Sequence, residues 1–118
     1  MILVFKNRLY FYWSIGKNVF LQQKKSSNVI DKLSAKYAYK YGMSFTFSKC
    51  NIKNMKLFYL CFPIYYNSMS KISWEHYLKL IYIEDRDKRN FYFRILMIYP
   101  FSYRDFIITL ENFYYERI

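Results

Sequence analysis

Apolar residues in this chain return at every third or fourth position over most of its length, the spacing of one helical face rather than of a strand. Phe5, Leu9, Tyr12, Trp13, Gly16, Val19 and Phe20 trace such a face, which predicts a first helix from near Met1 to about Gln23. It starts without a capping residue ahead of the stripe. The polar run KKSSN follows, and Ser27 or Asn28 is placed to cap a second helix with Ile30, Leu33, Tyr37 and Tyr41 inward and Gly42 at its end. After the connector MSFTF, Ser48 is a natural N-cap for a third helix that turns Ile52, Met55, Tyr59 and Phe62 inward and stops at Pro63. Ser73, Asp85 and Ser102 then open a fourth helix in ISWEHYLKLIYI, a fifth in DRDKRNFYFRILMI and a sixth in FSYRDFIITLENFYYERI. The stretch FYFRILMIY would also suit a strand, but no partner strand is evident. Two glycines and two prolines leave little material for hairpin turns. The expected fold is therefore all-α, a single-domain bundle of five or six helices over residues 1–118.

Charge changes the picture most. Nineteen Lys and Arg against eight Asp and Glu give +11, and the excess is uneven. Residues 1–63 hold 11 basic residues and Asp31 alone, net +10, while residues 64–118 hold 8 basic and 7 acidic residues, net +1. A field of this kind suits a polyanion, because neutralising phosphates releases counterions. Lys49, Lys53 and Lys56 share the outward side of the third helix, and Lys36 and Lys40 stand on the second. A helix, a glycine-containing turn and a helix opening on Ser-Lys-Cys-Asn have the layout of a helix-turn-helix, here at about 29–62. In that layout Lys49, Asn51, Lys53 and Asn54 would face base edges, since Asn pairs bidentately with adenine and Lys reaches guanine or phosphate. Lys56, Lys36 and Lys40 would contact phosphates. The competing reading is a merely solvated basic face.

Catalytic chemistry finds little support. His76 is the only histidine and is expected to pack or cap. Two cysteines and one histidine are too few for a closed zinc site, and no metal or cofactor is expected. The acids of EDRDK at 84–88 suit the first turn of a helix. Cys50 and Cys61, if on one helix, stand roughly 16 Å apart, beyond disulfide reach, so buried reduced thiols in a cytoplasmic protein are expected. The longest uncharged run, 57–70, has 14 residues and is too short to span a bilayer. Most aromatic residues belong to the core, but Tyr39, Tyr65 and Tyr66 are candidates for exposure, able to stack on bases or on a partner.

The motifs YWSIG at 12–16, LSAKYAYKYG at 33–42, NIKNMKLFY at 51–59 with Pro63, and SWEHY at 73–77 occur in fixed order. Through them nearly the whole chain resembles the N-terminal domain of the YhcG-like bacterial proteins. Within these motifs the matching positions are Trp13, Ile15, Gly16, Leu33, Ser34, Tyr41, Gly42, Asn51, Asn54, Met55, Phe58, Tyr59, Ser73, Trp74, His76 and Tyr77. More distantly, residues 48–113 resemble the helix-turn-helix domain of ParB-type proteins, at Ile72, Ser73, His76, Ser102 and Arg104. The first resemblance implies a domain that precedes a PD-(D/E)XK nuclease domain, and both imply binding to double-stranded DNA. No Asp/Glu-x-Lys triplet occurs here, so the nuclease function does not carry over and the chain is not expected to be an enzyme. Relatives begin before Met1 and continue past Ile118, so a truncated family member is expected. It would be a non-catalytic DNA-binding module, partnered in trans by such a nuclease and able to form homo-oligomers, with no membrane role. The alternative is a protein-interaction or oligomerisation domain of a nuclease system without direct DNA contact.

Overall fold

The computed structural model describes residues 7–118, which are helical in all their regular structure, with no strand among them. The fold class is all-α. The start of the first helix near Met1, and Phe5 on its stripe, lie outside the described residues. The helices gather into two compact units, Met1–Tyr65 and Tyr66–Ile118.

In the first unit, α1 (Arg8–Gln23) buries Leu9, Tyr12, Trp13, Ile15, Gly16 and Val19. Contrary to the capless start read from the sequence, Asn7 caps it, its Oδ1 accepting the Tyr10 N–H at 3.1 Å. The cap sits inside the apolar stripe rather than ahead of it, which hides it from a periodicity argument. Helix α3 (Lys49–Cys61) packs on α1 with their backbones in contact at Gly16. A Cβ at Gly16 would lie 2.0 Å from the Met55 carbonyl oxygen and 2.5 Å from its carbon, so only a hydrogen fits there. A glycine inside a helix costs about 0.5–1 kcal/mol relative to alanine, which this close approach offsets. The Trp13 Nε1–H donates to the Phe62 carbonyl at 2.8 Å and ties the middle of α1 to the end of α3.

Helix α2 (Val29–Tyr41) has Asn28 at its N-cap without a side-chain cap bond; the Asn28 Oδ1 accepts from Ser26 Oγ at 2.5 Å instead. It ends at Gly42, whose N–H donates to Ala38 O at 2.8 Å and whose φ of 91° and ψ of 158° suit glycine alone. A short 3-10 turn, Phe45–Phe47, follows. Phe47 is buried and stacks on Tyr37 and Tyr41, with ring centroids 5.1 and 5.4 Å away, and its carbonyl accepts from Ser34 Oγ at 2.7 Å. Burial raises the Tyr37 pKa, helped by neighbouring Tyr41 and opposed by Lys40, so the phenol stays neutral. The cap at Ser48 is as expected: its Oγ accepts the Asn51 N–H at 3.2 Å and donates to Phe45 O at 2.8 Å.

The second unit opens with a 3-10 turn, Asn67–Lys71, followed by α4 (Trp74–Leu80), α5 (Arg86–Ile98), α6 (Tyr103–Glu111) and α7 (Tyr114–Arg117). Ser73, Asp85 and Ser102 cap α4, α5 and α6 through their side chains. The strand alternative over FYFRILMIY gives way to α5, on which Tyr92 and Leu96 are buried. The expected sixth helix is broken. Phe113 takes a left-handed conformation, φ 53° and ψ 47°, and turns the last residues back toward α5. There Tyr115 N–H donates to Tyr92 Oη at 2.9 Å, Phe91 meets Tyr115 edge-on at 5.1 Å, and Lys88 pairs with Glu116 at 2.6 Å. These contacts oppose a left-handed cost of about 1–2 kcal/mol for a residue with a side chain.

His76 is a polar bolt within this unit. It is 8% exposed and stacks on Phe106 at 5.6 Å. Its Nε2 lies 3.0 Å from Phe101 O, which only accepts, so Nε2 carries a hydrogen; its Nδ1 lies 2.5 Å from Ser73 Oγ. Tyr77, fully buried, donates its hydroxyl to Met69 O at 2.7 Å.

Candidate nucleic-acid interface

The boundary between the units coincides with the change in charge, because residues 64 and 65 are uncharged: the first unit carries +10 and the second +1. Among the described residues of the first unit, the basic side chains other than half-buried Lys56 are exposed. Lys32, Lys36 and Lys40 recur at four-residue intervals on α2 and are all exposed. On α3, Lys49 and Lys53 are exposed and Lys56 is half-buried. Lys49 Nζ lies 3.4 Å from Asp31 Oδ1, an exposed pair that brings the first turn of α3 to the first turn of α2. Several ammonium groups rest against rings of their own helix: Lys17 over Trp13 at 5.4 Å, Lys24 over Phe20 at 5.2 Å, Lys36 over Tyr37 at 5.9 Å and Lys40 over Tyr41 at 5.3 Å.

The two asparagines do not belong to this surface. Asn51 is 1% and Asn54 6% exposed, and Asn51 Nδ2 donates to Thr46 O at 2.9 Å. Their reading as base contacts is thereby corrected: both stand on the buried side of α3, and Asn51 serves to hold the Phe45–Phe47 turn. The connector also departs from expectation. Residues 42–48 join α2 to α3, longer than the about three- to four-residue turn of a DNA-binding helix-turn-helix. Phe47 and Ser48 run back along α2, so α3 starts beside Asp31 and not at the end of α2. Cys50 is exposed rather than buried and Cys61 half-buried; neither is in a disulfide.

Lys32 is the residue that the sequence reading left out, although its spacing to Lys36 and Lys40 marks it as part of the same stripe. Tyr39 is 96% exposed and Tyr66 47%, as expected of them, whereas Tyr65 is half-buried against Tyr10 and donates to Asn7 Oδ1 at 3.3 Å. Among the described residues, no three His, Cys, Asp or Glu side chains come together in a way that could hold a metal ion. Asp85 accepts from the N–H groups of Asp87 and Lys88, at 2.9 and 3.2 Å, as a helix cap. No helix among the described residues is long and apolar enough to cross a membrane.

The geometry defines an all-α protein with one strongly basic helical unit. A family model for the DUF1016 N-terminal domain matches residues 2–117, and the chain belongs to that family, which fits the YhcG-like resemblance. No curated protein and no solved structure shows significant similarity to it.

Proposed function

We propose that the chain is a non-catalytic DNA-binding module of the cytoplasm whose first unit grips the phosphates of double-stranded DNA. The observation that carries this reading is the confinement of the charge excess to one unit, with Asp31 as its only acid and six of its basic residues on α2 and α3, five of them exposed and Lys56 half-buried. Lys32, Lys36, Lys40, Lys49, Lys53 and Lys56 are the phosphate contacts. With Asn51 and Asn54 buried, lysines supply the contacts, and these position a duplex more than they read it. The YhcG-like resemblance supports a PD-(D/E)XK nuclease as the partner in trans.

Salt titration of duplex binding tests the reading. With about six phosphate contacts, affinity should fall about a thousandfold between ~50 and ~200 mM salt. The double variant Lys49→Glu/Lys53→Glu should abolish binding at the upper concentration. Binding that ignores salt, or survives this reversal, overturns it.

A second reading, a protein-docking role, is favoured by Ile98 and Tyr99, 69% and 56% exposed at the end of α5 in the nearly neutral second unit. Partner binding there would respond little to salt and would be lost in Ile98→Asp.

A further inference from the structure

Tyr39 stands at the edge of the α2 stripe, between Lys36 and Lys40 along the helix, with its ring almost wholly in water. On a helix, Lys32, Lys36, Tyr39 and Lys40 fall within a sector of about 100°. Met43, 92% exposed, and Phe45, 62% exposed, follow directly. The ammonium groups of Lys36 and Lys40 rest over Tyr37 and Tyr41, not over Tyr39, so its ring stays open and the two lysines must swing outward to meet phosphates beside it. Duplex DNA offers such a ring nothing to stack on, because its base faces are already covered and only edges show in the grooves. An unpaired base does offer a face, and stacking on an aromatic side chain tolerates any base.

We infer that this face of α2 is a stacking platform for single-stranded nucleic acid, with an unpaired base on Tyr39 and the flanking phosphates on Lys32, Lys36 and Lys40. The inference rests on the polyanion-binding reading above and adds to the duplex a second ligand form, a strand with unpaired bases, met at Tyr39.

Fluorescence anisotropy on the full chain tests it, with a single-stranded DNA of about 12 nucleotides, the same sequence as RNA, and its DNA duplex. Tyr39→Ala should weaken single-strand binding roughly tenfold and leave duplex binding unchanged, and Tyr39→Trp should restore it. A 2-aminopurine in the single strand should be quenched by the parent chain and not by Tyr39→Ala. The DNA and RNA arms show which strand is preferred. The ring is solvent-exposed, so Tyr39→Ala should fold as the parent does, which circular dichroism checks. If Tyr39→Ala binds single strands as well as the parent does while Lys36→Glu/Lys40→Glu loses both strand forms, the platform is wrong and the polyanion reading stands. If neither strand form binds in a salt-dependent way, both are overturned.

Discussion

The two units differ in how they use their charged residues. In Tyr66–Ile118, charge and polarity are turned to internal ends: Lys88 pairs with Glu116, Arg89 Nη1 donates to Ile83 O at 2.7 Å, Asp85 caps α5, and His76 bridges Ser73 and Phe101. In Met1–Tyr65 the helices are held by backbone contact at Gly16, by the Trp13 bond to Phe62 and by rings around Phe47. Cations take almost no part in that core, and a single acid faces all of them. The contrast teaches that net charge alone says little, whereas charge that the fold does not use marks a surface open to an outside partner.

Breaking the close contact should have the largest effect. Gly16→Ala puts a carbon on the Met55 carbonyl and should cost about 3 kcal/mol or more, seen as hydrogen exchange accelerating in residues 7–65 first. An unchanged melting temperature would show that backbone contact is not what holds that unit. Next, His76→Ala removes the Phe101 partner and the stack on Phe106; about 2 kcal/mol should be lost in denaturant melts, with duplex affinity of the folded fraction unchanged. Loss of affinity there would break the division of labour. Gly42→Ala meets no atom within 4 Å, so only backbone strain of about 1–3 kcal/mol opposes it, and a cost near the lower end would separate conformational from steric glycine.

The smallest effect belongs to the Lys88–Glu116 pair. The hydrogen bond from Lys88 holds Glu116 below its ordinary 4.5, and the same bond raises Lys88 above 10.5. Glu116 therefore stabilises fully above its unfolded value and ceases to as pH falls through the lowered folded one; Lys88 stabilises fully below 10.5 and ceases to as pH rises through its raised one. Glu116→Gln should flatten the acid limb of the melting-temperature profile slightly, and added salt should mask even that. An acid limb unmoved at low salt would remove the pair from the list of internal uses of charge.

Helix starts were legible in the sequence because capping is local chemistry: Ser48, Ser73, Asp85 and Ser102 each bond a backbone N–H two or three residues on. So was most of the inward set: Ile52, Met55 and Phe62 are buried, while Tyr59 is half-buried against Trp13 and Phe20. The basic stripe was legible too, apart from Lys32, whereas the division into two units was not. What was hidden depends on tertiary neighbours. Asn51 and Asn54 read as outward because polar residues usually are, yet α1 and the Phe45–Phe47 turn both lie against α3. Phe113 gives no local sign of a left-handed turn; contacts at Tyr92, Phe91 and Lys88 select it.

The lysines that rest on rings carry a last implication. A free lysine side chain must surrender rotamer freedom when it clamps a phosphate, a cost of about 0.5–1.5 kcal/mol. Where the ammonium already rests over the ring of Trp13, Phe20, Tyr37 or Tyr41, part of that disorder is gone before any ligand arrives. On the proposed reading Lys36 and Lys40 would meet phosphate partly preorganised, and replacing the Tyr41 ring beneath Lys40 should slow nothing in the encounter yet shorten the life of the complex.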